Sequence, residues 1–251
     1  MSRAVVRAMQ VLELLGQSED GLTHAQISKS LNIPKSSVTA ILVDLASGEF
    51  IFFDQSTKKY ILGSKIVSLA HNYLQGLDLI KVGEPIVKDL AKATGESVAI
   101  YVQSGQKAQL IYKQDSPQSV SRLLKVGARA PMYAIAAGKV LLAYMSEEKI
   151  NTFLSTIAMK PITPYTITDA KKLRKELDTI RTGALAYNRQ EFEEGVVAVA
   201  APVRDRYGKV VAALTVVAPS FRIDEKMQRD TDKVLAEAAI YFSKMMGFQK
   251  I

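Results

Sequence analysis

The chain has 251 residues, enough for one large or two modest domains, and it contains no cysteine. Disulfides, thiol catalysis and cysteine–zinc sites are therefore excluded. The net charge of +8 invites a nucleic-acid reading, yet residues 1–76 hold seven Lys/Arg against six Asp/Glu and the remainder holds 26 against 19, so the excess lies outside the N-terminal region.

In chain order, Ala8, Val11, Leu12 and Leu15 form a first helical stripe. Leu22 to Leu45, LTHAQISKSLNIPKSSVTAILVDL, reads as two short helices joined by a tight turn. Thr23 and Gln26 have capping-box spacing, and Leu22 and Ile27 stand where a hydrophobic staple places them. Asn32 tolerates a left-handed helix end, and Pro34 suits the first turn of the next helix. That helix has Val38, Ile41, Leu42 and Leu45 as its inward stripe. Its opposite face carries Ser36, Ala40, Val43 and Ser47, with Thr39 on the flank. The face is slim and free of acids, as entry into a phosphate-walled major groove requires. From Gln26 to Val43 there are two lysines and no acid. The segment fits a DNA-reading helix-turn-helix or an ordinary helical hairpin equally.

Phe50–Asp54 and Lys59–Leu62 read as strands around Gln55-Ser56-Thr57-Lys58. Three helices followed by a hairpin with Lys58 and Lys59 describe a winged helix-turn-helix, with the wing against the backbone or minor groove. The expected contacts are Lys35 with phosphate, and Ser36, Ser37 and Thr39 with phosphates or base edges.

Ser64 can cap the next helix, whose stripe is Ile66, Leu69, Ala70, Tyr73 and Leu77. Pairing with a second subunit and packing on the following domain both explain that stripe. His71 reads as a surface or interface residue. Asp78–Thr94 is helical and stops at Gly95. Strand-like runs follow at Ser97–Gln103, Ala108–Gln114 and Ser121–Val126. Helices are expected around Ala136–Tyr144 and Glu147–Leu154, and over Asp169–Thr182 with Thr168 as cap. Val196–Val203 and Lys209–Val217 read as a hairpin of buried strands, and a last amphipathic helix as Asp224–Met246.

No catalytic set stands out. AAGKV (Ala136–Val140) lacks two P-loop positions, which are Tyr133 and Val140 here. Both histidines, His24 and His71, precede residue 77. Glu191, Glu193 and Glu194 read as a solvated acidic run. Neither an enzyme nor a cofactor is expected. No apolar run reaches a membrane span, and MSRAVVRAMQ lacks a signal peptide's apolar core, so the expected compartment is the cytoplasm.

The whole chain resembles the IclR family of bacterial transcriptional regulators. The resemblance rests on VVRAMQVLELL, LTHAQISKSLNIPKSSV, FFDQSTKKYILG, VGARAPMYAIAAGKVLLAYMSEE, TITDAKKLRKEL, NRQEFEEGVVAVAAPV and GKVVAALTV, in that order. It implies an α+β protein: a winged helix-turn-helix (1–63), a linker helix (64–78) and a GAF-like α/β effector-binding domain (79–251). It also implies a homodimer or homotetramer on a palindromic double-stranded DNA operator, with a small-molecule effector. A sensor acting through protein contacts, without direct DNA binding, is the alternative.

The DNA-binding set on this reading is Thr23, Lys35, Ser36, Ser37, Thr39, Ala40, Lys58 and Lys59. The family commonly has an aromatic residue or His, then Arg, where Thr39 and Ala40 stand. Their methyl groups suit thymine contacts. The effector set is Arg129, Met132, Tyr133, Ala136, Ala137, Asn188, Ala198, Thr215 and Val217. Tyr133 replaces the family's His, Asn188 its pocket Asp, and Ala198 its Cys. Thr215 and Val217 take its two hydroxyl positions. The amides near Ala136 and Ala137 can hold a carboxylate, and Arg129 reads as a carboxylate partner or a surface charge. A pocket so depleted in polar groups implies a bulkier or less hydrophilic effector, an aromatic or alkyl acid. A collapsed pocket without ligand is the competing reading.

Overall fold

The computed structural model describes residues 2–76, 78–117 and 125–248, with side chains given outside 71–78. The chain divides into two compact units, Met1–Leu77 and Asp78–Ile251.

The first unit contains α1 (Arg3–Gly16), α2 (His24–Leu31), α3 (Lys35–Ser47), an antiparallel hairpin of β1 (Ile51–Asp54) and β2 (Lys59–Leu62), and α4 (Ser64–Gly76). Its core is Val11 and Leu15 from α1, Ile27 from α2, Ile33, Val38, Ile41 and Leu42 around α3, and Ile51 from β1. The Thr23–Gln26 capping box is formed, and Asn32 ends α2 in the left-handed region at φ 51°. Pro34 stands at the N-cap of α3 rather than in its first turn, because Lys35 is the first helical residue. Leu22 and Tyr60 exchange backbone hydrogen bonds of 3.0 and 2.8 Å, tying the α1–α2 loop to the wing. Gly21 lies beside that bridge at φ 73°, where a Cβ would stand 2.6 Å from the Tyr60 carbonyl, so the close approach requires glycine.

The second unit is a six-stranded antiparallel sheet in the order β5-β4-β3-β8-β7-β6. The strands are β3 (Ser97–Ser104), β4 (Lys107–Gln114), β5 (Arg129–Pro131), β6 (Ala186–Arg189), β7 (Val196–Arg204) and β8 (Val210–Pro219). One face is covered by α5 (Asp78–Thr94) and α9 (Glu225–Met245), the other by α6 (Ala136–Ala143), behind which lie α7 (Glu147–Thr156) and α8 (Ala170–Arg181). Every residue of α6 is buried, which suits a helix that is apolar nearly all round. Gly138 brings α6 onto the backbone of Met132: a Cβ there would sit 2.4 Å from Met132 Cα.

Most expected elements are present, with some differences. Asp169, not Thr168, caps α8, its carboxylate accepting from Lys172 N at 2.8 Å. The run Glu191–Glu194 is not uniformly solvated, because Glu191 is buried. The expected strand Ser121–Val126 falls largely outside the described residues; Lys125 and Val126 are not in a strand. Ile66 is half-buried and Leu69 exposed on α4, while His71, Tyr73 and Leu77 are not among the described side chains.

Candidate functional site

The first surface lies on α3 and the wing. Lys35, Ser36, Thr39, Ala40 and Val43 are exposed, and Ser37 is half-buried. Two hydroxyls of the expected set are committed within the fold. Thr23 Oγ1 accepts from Gln26 N and donates to Gln26 Oε1 at 2.9 Å. Thr39 Oγ1 donates to the Lys35 carbonyl at 3.0 Å, one turn back. The same oxygen pairs with His24 Nε2 at 2.9 Å, so the ring N–H donates to it. Thr39 keeps its methyl as the part not engaged in hydrogen bonds. His24 is absent from the expected set, since a contact 15 residues away leaves no trace in helical periodicity.

The wing tip is shaped by Asp54. Its Oδ1 accepts from Ser56 N at 2.8 Å and Ser56 Oγ at 2.6 Å, and its Oδ2 from Thr57 Oγ1 at 2.8 Å. This Asx-type turn carries Lys58 into the left-handed region at φ 57°. Lys58 is exposed, and Lys59 beside it is half-buried. The Ser56 hydroxyl above all, then the Thr57 hydroxyl, hold the Asp54 carboxyl down to about 2 from 3.8. Because the folded value is the lower one, the turn is strengthened above pH 3.8 and loses that support as pH falls through 2. A carboxyl titration followed by NMR is expected to show a midpoint near 2, with the Ser56 amide moving in step; a midpoint at 3.8 would mean the turn is open in solution.

The second surface is the sheet face toward α6. Asn188, Ala198 and Val217 are cross-strand neighbours in one row, and Ala200 and Thr215 lie in the next. Side chains on neighbouring strands in register share a face, so four of the expected effector residues are brought together. Met132, Tyr133, Ala136, Ala137 and Ala198 belong to the same apolar cluster on that side. Arg129 is exposed on β5, at the opposite edge of the sheet from Asn188 on β6, and does not join the row.

The polar groups here are distinctive. Asn188 is 5% exposed; its Nδ2 donates to the Ala134 carbonyl at 3.1 Å, and its Oδ1 accepts from Glu191 N at 2.8 Å. The Tyr133 hydroxyl donates to the Lys160 carbonyl at 3.0 Å, so the residue brings a ring rather than a spare donor. Thr215 Oγ1, in contrast, is buried without a hydrogen-bond partner. An unsatisfied buried hydroxyl is costly. No side chain caps the start of α6, which begins after Ile135.

Directly behind this face lies a charge cluster that the sequence reading missed. Lys139 is fully buried, with Nζ 2.7 Å from Glu191 Oε2, 2.6 Å from Glu176 Oε2 and 3.0 Å from the Tyr187 carbonyl. It ties α6 to α8 and to the β6–β7 connection. Burial pushes the Glu191 carboxyl up, and the Lys139 ammonium opposes that shift. The lone lysine within AAGKVLLA was the available signal. A cation in an otherwise apolar helix must meet a buried acid somewhere.

A winged helix-turn-helix whose α3 presents Ser36, Ala40 and Val43 on its outer face, followed by this sheet domain, is the architecture of a transcriptional regulator. Comparison with known families agrees. The bacterial transcriptional regulator IclR C-terminal domain matches residues 71–244, and the IclR helix-turn-helix domain matches residues 4–54. The chain belongs to the IclR family of transcriptional regulators, which are not enzymes. It is 29% identical over 246 residues to the HTH-type transcriptional regulator KdgR of Escherichia coli K12, covering 98% of this chain and 93% of that one. The Thermotoga maritima IclR structure superposes with a TM-score of 0.80 at 25% identity, covering 97% of this chain and 98% of that one. An IclR homologue from Microbacterium hydrocarbonoxydans, complexed with 4-hydroxybenzoate, gives 0.87 at 23% identity, with coverage of 97% and 98%. No helix among the described residues is long and apolar enough to cross a membrane.

Proposed function

We propose that this regulator binds a palindromic operator as a homodimer or homotetramer and that a small organic acid, aromatic or alkyl in character, sets its response. The observation that carries the effector reading is Thr215 Oγ1, buried and unpartnered beside Ala198 and Val217. A ligand oxygen or hydroxyl entering there satisfies it. The uncapped first turn of α6, at Ala136 and Ala137, supplies amides for a carboxylate. Asn188 stands where the family has a carboxylate, so no charge there repels an anion. That the Microbacterium homologue was solved with an aromatic acid fits this chemistry.

On the DNA side, Lys35 and Lys58 contact phosphates, while Ala40 and the Thr39 methyl lie against base edges. Within the first unit, exposed Val5 and Met9 on α1 and Val67 and Leu69 on α4 offer apolar surface to a second subunit. A two-fold dimer then places half-sites about one helical turn, or a multiple of it, apart.

Duplex binding measured against salt tests this. Lys35→Ala is expected to weaken binding to all duplexes and lower the salt slope by about 1. Thr39→Ala should alter preference at one base position, whereas Thr39→Val, which keeps a methyl, should alter it less. Unchanged binding in folded Lys35→Ala and Thr39→Ala proteins would remove α3 as the reader. It would favour a sensor that works through protein contacts.

A further inference from the structure

The sheet of the second unit has another occupied face. Residues alternate along a strand, so Asn188 and Ala198 face α6 while Tyr187, Val197, Val199 and Val216 face α9. The first half of α9 does not close on them. A cleft of about 270 Å³ remains between these strands and α9, lined also by Asn188, Ala198, Ala218, Ser220 and Ile223.

The cleft has an apolar floor and a charged pair. Asp232 projects from α9, and Tyr187 donates its hydroxyl to Asp232 Oδ2 at 2.7 Å. The other carboxylate oxygen, Oδ1, is buried and has no hydrogen-bond partner. The Arg189 guanidinium lies 4.5 Å from the centre of the Tyr187 ring and is exposed at the mouth. The single Tyr187 O–H is directed at Oδ2, and burial pushes the phenol up to about 12. Asp232 shares the α9 wall with Gln228 and Thr231; its unpaired carboxylate oxygen calls for a cationic or N–H donor, and an exposed guanidinium calls for a carboxylate. The volume is at the small end for ligand pockets, suited to a molecule of about ten non-hydrogen atoms.

We propose that this cleft is a second ligand site, across the sheet from the effector face, and that it takes a small apolar zwitterion of the α-amino acid class. The ammonium meets Asp232 Oδ1, the carboxylate meets Arg189, and the side chain lies on Val197, Val199 and Val216.

The test uses the full chain with methyl-labelled Val and Ile, titrated with L-leucine and L-phenylalanine, and with isocaproate as the probe lacking an ammonium. Binding is read by calorimetry and methyl NMR without DNA, so failure here leaves the operator reading untouched. At least one amino acid should bind saturably and shift the methyls of Val197, Val199, Val216 and Ile223. Isocaproate should bind at least about tenfold more weakly. Asp232→Asn keeps an acceptor for Tyr187 but should weaken the amino acid at least about tenfold. Ala218→Leu, which fills the cleft, should block it. No saturable binding of either amino acid into the millimolar range would overturn the proposal. So would shifts confined to other methyls, or an affinity unchanged in folded Asp232→Asn.

Discussion

Replacing Lys139 with Met is expected to cost the second unit about 3–5 kcal/mol, because removing one partner of a buried ion pair leaves the other uncompensated. The side chain is fully buried, and its ammonium stands between Glu176 and Glu191 at 2.6 and 2.7 Å. Without it, two carboxylates face one another and Glu191 remains inside the protein. For a unit of this size the loss corresponds to a fall of roughly 10 °C in the unfolding midpoint. Differential scanning calorimetry checks it. Restoring an apolar interior by combining Lys139→Met with Glu191→Leu and Glu176→Gln should recover most of the loss, since well-packed apolar groups can replace a buried ion cluster. A single variant losing under about 1 kcal/mol would show that α6 is held by its apolar neighbours alone.

A second pair of substitutions separates stability from response. Thr215→Val preserves the side-chain shape and removes the buried hydroxyl that lacks a partner. The variant should be as stable as the parent or more so, by about 1 kcal/mol. Its effector should nonetheless bind roughly five- to tenfold more weakly, the value of one hydrogen bond. Ala198→Phe, in the neighbouring row, should crowd the face toward α6, leave operator binding intact and abolish the response. Thermal-shift screening of aromatic and aliphatic acids provides the readout, because a ligand of the native state raises apparent stability. An acid that protects the parent and the Ala198→Phe variant equally would place the effector elsewhere.

Local patterns made the first unit legible almost to the residue. The capping box at Thr23, the left-handed Asn32 and the stripe Val38, Ile41, Leu42 are short-range features, and all are present. The β7–β8 hairpin was equally readable, because both strands are apolar and a short polar turn separates them. Strands β5 and β6 were not, since three or four residues carry no alternation that stands above chance. Long-range partners were the other blind spot. Glu191 sits among acids in sequence, yet it is held by Lys139, 52 residues away. The hydroxyls of Tyr133 and Thr39 looked available to ligands and bases, but each donates to a backbone carbonyl. Family resemblance placed Asn188, Ala198, Thr215 and Val217 together, and strand register puts them on one face. Arg129 is close to Pro131 in sequence, but it lies at the far edge of the sheet.

The Asp54 turn has a consequence for how quickly a duplex can be engaged. Three donors from Ser56 and Thr57 fix the tip of the wing before any partner arrives. Ordering a loop on association costs entropy and slows productive docking. Here the backbone of that loop is already set, and only the lysine side chains have freedom left to lose. The one acid in the hairpin thus acts as an internal splint that holds the tip carrying Lys58 in a preset geometry.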